Sequence, residues 1–333
     1  MRVVVTGASA GIGRATAVAF ARRGACVALL ARGAAGLAEA QHEVERAGGV
    51  ALALPTDMAD QQQVEAAADQ VERAWGGIDV WVNNAMVSEF APVDRMPAAD
   101  IRRITDVSYL GAVWGTQAAL KRMRPRDSGV IIQVGSALAY RSIPLQSAYC
   151  AAKAALRAFS DSLRCELLHA RSRVRICFLV LSAFNTPQFD WVRTVFSRRP
   201  RPVGTVFEPE VAARSIVWAA THPRRELVVG GPALMSKLGQ ALVPGLLDRW
   251  LARRAWDGQF TDEPLPADRH DNLYLPVTSP GAHGRFEHEA HARSWQALLA
   301  RHRGWLVLGA GLLAVGLIAS HRRLRPDRAI GLR

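Results

Sequence analysis

Arg2-Val3-Val4-Val5-Thr6-Gly7-Ala8-Ser9-Ala10-Gly11-Ile12-Gly13 decides the fold of this chain. Three β-branched residues in a row read as a buried strand, which glycines at 7, 11 and 13 interrupt at once. The stretch that follows, Arg14-Ala15-Thr16-Ala17-Val18-Ala19-Phe20, is compatible with a helix. A strand that turns on glycine into a helix N-terminus builds an anion site. Gly7 permits the tight turn, Gly11 lets backbone approach a pyrophosphate, and Gly13 lets helix and strand pack closely. Strand and helix patterns stand on the correct sides of the glycines, which separates this motif from a chance trio.

Outward from the turn, the next strand, Cys26 to Ala31, ends in Leu29-Leu30-Ala31-Arg32. About 20 residues beyond the glycines is where a carboxylate would hold the ribose 2′-hydroxyl of NAD. Ala31 offers none, whereas Arg32 offers a fork of donors suited to a 2′-phosphate, so NADP(H) is expected over NAD(H). The plainer alternative is a solvated arginine after a strand, and Ala10 leaves no second basic contact inside the turn. A third strand, Val50 to Leu54, leads to Thr56-Asp57-Met58, expected beside an adenine. A helix follows over Ala59 to Trp75, ended by Gly76-Gly77. Ile78 to Val82 forms the fourth strand and runs into Asn83-Asn84-Ala85-Met86, where asparagines satisfy backbone groups near a cofactor. A long helix from about Ala98 to Met123 precedes the fifth strand, Gly129 to Ser136. Ser136 thus stands at a strand's carboxyl end, where doubly wound sheets bind ligands. The next helix carries Tyr149-Cys150-Ala151-Ala152-Lys153, whose phenol and ammonium, four residues apart, share a face. Alone, that spacing also fits an exposed pair on an amphipathic helix. Strands Val174 to Leu181 and Glu226 to Val229, around a helix from Pro209 to Thr221, complete the alternation.

Composition narrows the setting. With 333 residues, half of them hydrophobic, the chain can bury a large core. Cys26, Cys150, Cys165 and Cys177 have no C-x-x-C spacing and suggest a reducing compartment without a disulfide framework. Met1-Arg2 passes directly into the first strand, so no signal peptide and a cytoplasmic catalytic domain are expected. The net charge of +13 invites a nucleic-acid reading, but its location argues otherwise. Residues 301–333 hold seven arginines against one aspartate, and residues 191–207 hold Arg193, Arg198, Arg199 and Arg201 with no acid. The distal group flanks a hydrophobic run, which points to anionic lipid before nucleic acid.

Taken together, Thr6-Gly7-Ala8-Ser9-Ala10-Gly11-Ile12-Gly13, Asn83-Asn84-Ala85, Ser136 and Tyr149-x-x-x-Lys153 resemble the short-chain dehydrogenase/reductase family over roughly residues 1–232. The resemblance implies an α/β fold of Rossmann type, a doubly wound seven-stranded parallel sheet in three α/β/α layers with strand order 3-2-1-4-5-6-7. It implies cofactor binding by Gly7, Ser9, Gly11, Ile12, Gly13, Arg32, Asp57, Met58, Asn84, Ala85, Tyr149, Lys153 and Thr186. It also implies that Tyr149 exchanges a proton with a carbonyl or alcohol oxygen during hydride transfer, that Lys153 lowers the tyrosine pKa, and that Ser136 holds the substrate oxygen. Three positions depart from the pattern. Ser108 stands where an asparagine usually supports a proton relay to the lysine, Met86 replaces a glycine, and Leu181-Ser182 replaces Pro-Gly, while Asn185-Thr186-Pro187 keeps the following threonine.

The expected function is an NADP(H)-dependent oxidoreductase acting on a small apolar carbonyl or alcohol. The alternative is a catalytically weak nucleotide-binding scaffold disabled at Ser108. Homo-oligomers are common in the family and are a possible state here. In residues 183–207, Phe184, Phe189, Trp191, Val195, Phe196 and Phe207 interleave with the four arginines. This reads either as a mobile surface lid or as a lid admitting an apolar substrate from a membrane surface. The catalytic domain is expected over 1–250, with a Pro-rich polar extension over 251–303 lying across it. His288-Glu289-Ala290-His291 reads as a solvated helix start, and no metal is expected. Residues 304–320 carry no charge and would form a helix ~26 Å long, slightly short of a ~30 Å hydrocarbon core. They are expected to anchor the chain in a membrane, with a buried helix or an oligomer contact as alternatives, ahead of a basic tail at 321–333.

Overall fold

Seven parallel strands form the central sheet: β1 (Arg2–Thr6), β2 (Cys26–Ala31), β3 (Val50–Pro55), β4 (Val80–Asn83), β5 (Val130–Val134), β6 (Arg175–Leu181) and β7 (Glu226–Val229). The computed structural model describes residues 1–266, 268–277 and 281–301. The strands lie in the order 7-6-5-4-1-2-3, with Val4 registered between Ala28 of β2 and Trp81 of β4. Period-two alternation builds the layers. Val3, Val5, Val27, Leu29, Val80 and Val82 face one side, where they pack on α1 (Gly11–Ala21), α2 (Ala34–Arg46) and the Pro209–Thr221 helix. Val4, Ala28, Leu30, Trp81, Ile131 and Ile176 face the other. That side is covered by α3 (Gln61–Trp75), α5 (Gly111–Met123) and α6 (Ser147–His169). This is the doubly wound Rossmann-type arrangement expected. The order reverses between β1 and β4, so the carboxyl ends of these strands open the crevice where such sheets bind ligands.

The long helix before β5 is interrupted. It consists of α4 (Ala98–Thr105), a π-helical turn over Asp106–Leu110 and then α5. Ser108 lies inside that turn, buried, and its hydroxyl donates to the Val87 carbonyl at 2.9 Å while accepting from the Val87 N–H at 3.1 Å. Ser108→Ala leaves both Val87 backbone groups buried without this partner. It is expected to lower unfolding stability by about 1–3 kcal/mol, measurable by urea denaturation.

After α6 the chain departs from simple alternation. Residues 257–301 add no core of their own; Phe260, Leu273, Phe286 and Ala297 instead join clusters built on the sheet domain. Phe260–Pro264 pairs antiparallel with Arg198–Pro200, and Ala290–His291 pairs parallel with Val206–Phe207. The covering loop and the extension therefore form one layer, and the loop is not the basic flap that its local composition suggests. Each of its four arginines meets a carboxylate of the extension. Arg193 lies 3.1 Å from Asp271, Arg198 2.7 Å from Asp257, Arg199 3.2 Å from Glu263 and Arg201 2.5 Å from Glu289. The expected helix start at His288 is a single 3-10 turn, Glu287–Glu289, followed directly by the paired Ala290–His291. The hydrophobic stretch 304–320 and the basic tail lie outside the described residues. Among those described, no helix is long and apolar enough to cross a membrane.

Candidate active site

The glycine turn is shaped by two left-handed residues and one close approach. Gly7 has φ 65° and Gly11 φ 54°, a region that side chains disfavour. At Gly13 a Cβ would lie 2.1 Å from the Gly7 carbonyl oxygen and 2.6 Å from Asn84 Nδ2. Ala10 provides no side-chain cap to α1. Thr6 ties the turn to β4, since its Oγ1 accepts from the N–H groups of Asn84 and Ala85 at 2.9 and 3.0 Å. Asn84 Nδ2 donates in turn to the Thr6 carbonyl at 2.9 Å. Gly7, Ser9, Gly11, Ile12, Arg32, Asp57, Met58, Asn84, Ala85 and Thr186 all line one cavity, and Gly13 packs behind it. A bare glycine cradle at an uncapped helix end, opening into a long cleft, fits a dinucleotide.

Arg32 is not the solvated arginine of the plainer reading. Burial, then the nearby Arg103, pushes its pKa down, and its guanidinium donates to the carbonyls of Asn272, Leu273 and Tyr274. Asn272, Pro276 and Val277 of the extension line the same cavity, so the extension walls the cleft beside Arg32. The Pro-rich composition announces a segment lying across the domain but not its contact with Arg32.

A second cavity, of about 350 Å³ and partly open to solvent, adjoins the first, and Ile12, Asn84, Met86 and Thr186 line both. Ser136 and Tyr149 stand in its wall among Leu138, Ile143, Leu181, Phe184, Phe189, Leu247, Trp250 and Leu251. The helix register delivers Tyr149 and Lys153 to one place. Lys153 Nζ lies 5.6 Å from the centre of the Tyr149 ring and donates to the Val134 carbonyl at 2.8 Å. Burial raises the Tyr149 pKa, opposed by a hydrogen bond with Ser136. Burial also pushes the Lys153 ammonium down to about 8. At neutral pH the phenol holds its proton and the ammonium is mostly charged. The Ser108 hydroxyl bonds both backbone groups of Val87 and so fastens the π-helical turn to the loop after β4.

A model of the short chain dehydrogenase family matches residues 1–194, more than half of the chain. The chain belongs to the short-chain dehydrogenase family. It is 31% identical over 294 residues to the uncharacterized oxidoreductase YxnA of Bacillus subtilis, covering 88% of this chain and 82% of that one. It is 32% identical over 250 residues to 3beta-hydroxysteroid dehydrogenase 1 of Eggerthella lenta, covering 73% and 94%. Among solved structures, a metagenomic short-chain oxidoreductase in complex with NADP superposes with a TM-score of 0.59 at 28% identity, covering 69% of this chain and 96% of that one. The chain is thus an oxidoreductase of the short-chain dehydrogenase type.

Two further clusters of titratable groups lie elsewhere in this short-chain dehydrogenase. Glu208, Glu210 and His283 bring ligand atoms within 4.8 Å of one another, with His283 Nε2 3.0 Å from Glu210, a contact between the start of the Pro209–Thr221 helix and the extension. Glu89 and Asp100, both buried, face each other below Arg193, whose Nε lies 2.9 Å from Asp100 and 3.9 Å from Glu89. Burial, then the charge of Asp100, raises the Glu89 pKa to about 7, with Arg193 opposing. The folded state therefore binds this proton more tightly than the unfolded chain. Its contribution is complete below pH 4.5 and is lost as pH rises through about 7. Glu89→Gln should remove a slope of up to about 1.4 kcal/mol per pH unit in that window, read as the difference between parent and variant in urea unfolding. Parallel pH profiles for the two proteins would refute this assignment.

Proposed function

We propose that this short-chain dehydrogenase interconverts a carbonyl and an alcohol with NADP(H), and that its substrate is bulky and apolar. The observation that carries the reading is the shared wall of the two cavities. Ile12, Asn84, Met86 and Thr186 border both the glycine cradle and the apolar space that holds Ser136 and Tyr149. A nicotinamide cofactor, when bound, supplies the hydride. The chain's own residues manage the oxygen. Ser136 holds the carbonyl oxygen by a hydrogen bond, and Tyr149 donates its phenolic proton as charge develops there. In the opposite direction Tyr149 takes the proton from the alcohol. Lys153 stabilises the phenolate that donation leaves, as a buried cation close to the ring. Since the free protein keeps the Tyr149 proton in place, the site rests ready for reduction.

NADP is favoured by Arg32 at the end of β2, and the solved relative quoted above holds NADP. A bulky substrate is favoured by the apolar wall and by a relative named for a hydroxysteroid. NADPH oxidation measured over a panel of aldehydes and ketones tests both points. Polycyclic and long-chain ketones should turn over at higher kcat/KM than small polar ones of the same carbonyl reactivity. Preference for small polar carbonyls would overturn the substrate class. NADPH binding with no turnover on any of them would favour the scaffold reading instead.

A further inference from the structure

Two guanidinium groups converge on one oxygen of the extension. Arg32 Nη1 donates to the Leu273 carbonyl at 3.2 Å and to that of Tyr274 at 2.8 Å, and its Nη2 donates to the Asn272 carbonyl at 2.5 Å. Arg103, arriving from α4 on the opposite side, donates its Nε to the same Leu273 carbonyl at 3.1 Å. Asp57 lies 2.7 Å from Arg103, and among the described residues no carboxylate pairs with Arg32. Two cations thus share one carboxylate, and neutral carbonyls hold what is left of their donors. A carbonyl presents only a partial charge, whereas a phosphate presents nearly two full charges and three acceptor oxygens, the geometry that guanidinium forks match. The 272–274 backbone is kept in place by the Leu273 side chain, fully buried against Val87, Ile104 and Val107.

We propose that Arg32 and Arg103 form a two-pronged site for the 2′-phosphate of NADP, and that the 272–274 backbone is its resting occupant, which the phosphate displaces. The proposal rests on the dinucleotide reading of the cleft. It assigns to Arg103, which lies outside the glycine turn and the β2 end, a part in cofactor choice. It also makes NADP, and not NAD, the nucleotide that loosens the extension over the cleft.

The test uses the full chain with two probes that carry no nicotinamide, adenosine 2′,5′-bisphosphate and 5′-AMP. Calorimetric titration should give at least about tenfold tighter binding of the bisphosphate, the scale of a charge-assisted contact. Arg103→Ala should reduce the ratio of the two affinities by about tenfold. Because that change also frees the Asp57 carboxylate, Asp57→Asn/Arg103→Ala is titrated alongside, and its ratio should fall equally. Hydrogen exchange should speed up over 272–277 with the bisphosphate and stay unchanged with 5′-AMP. A ratio unaffected by either Arg103 variant, or exchange that does not respond to the bisphosphate, would overturn the proposal while leaving the dinucleotide reading intact. Failure of both nucleotides to bind would bring down the dinucleotide reading itself.

Discussion

Tyr149→Phe is expected to lower kcat for ketone reduction by about 10²- to 10⁴-fold, the range that a positioned general acid contributes. Affinity for NADPH should stay within about threefold, because the variant removes one oxygen and keeps everything the ring does. The ring packs in the cluster that contains Val87, Val107, Ala148 and Leu273, and Lys153 remains near its face. The loss is therefore assignable to the proton. The direction of assay matters. Burial keeps the phenol protonated, so reduction starts from the resting state, while oxidation first requires the phenol to give up its proton to solvent. Steady-state reduction rates, with NADPH binding followed by fluorescence, check both halves. Turnover within tenfold of the parent would show that another group delivers the proton.

Gly13→Ala should have the largest effect on the cofactor cleft. A single methyl at this position would meet the Gly7 carbonyl carbon at 2.8 Å as well as its oxygen and Asn84 Nδ2 at shorter range. None of these atoms is the free end of a flexible side chain. Gly7 is held in the left-handed region, and Asn84 is fastened to Thr6. The methyl must move α1 away from β1 or unseat the asparagine, and either change opens the cradle. We expect NADPH affinity to fall at least about 100-fold, equivalent to ~2.8 kcal/mol, and stability to drop by about 1–3 kcal/mol. Fluorescence titration and urea unfolding measure the two separately. Unchanged NADPH affinity in a folded variant would mean that the cofactor does not lie on this turn.

The sheet was legible because its signals are local. Val3-Val4-Val5 already contains the alternation that sends Val4 to one layer and its neighbours to the other, and each later strand repeats it. Tyr149 and Lys153 were legible for a similar reason, since helical spacing alone puts them on one face. What Ser108 bonds was not legible. Its partner is the backbone of Val87, and a backbone partner leaves no residue type to recognise. The same holds at the cleft, where Arg32 and Arg103 meet carbonyls of 272–274, groups that every residue possesses. The basic loop misled for a different reason. Charge counted over residues 191–207 omits acids that stand 59 positions away for Arg198 and 88 for Arg201. Counted alone the loop is a cationic segment; with Asp257, Glu263, Asp271 and Glu289 in place it is largely neutralised.

The wall beside Arg32 also has a place in time. The last strand of the sheet ends at Val229, and the first residue of the extension to accept from Arg32 is Asn272. On a ribosome adding roughly 5–20 residues per second, the 43 residues from 230 to 272 amount to roughly 2–9 seconds. In that interval the glycine cradle can assemble with its roof not yet made. A newborn molecule would thus meet its first nucleotide through an open door, and, on the proposal above, each later entry of NADP would have to lift the 272–274 backbone away from the two arginines.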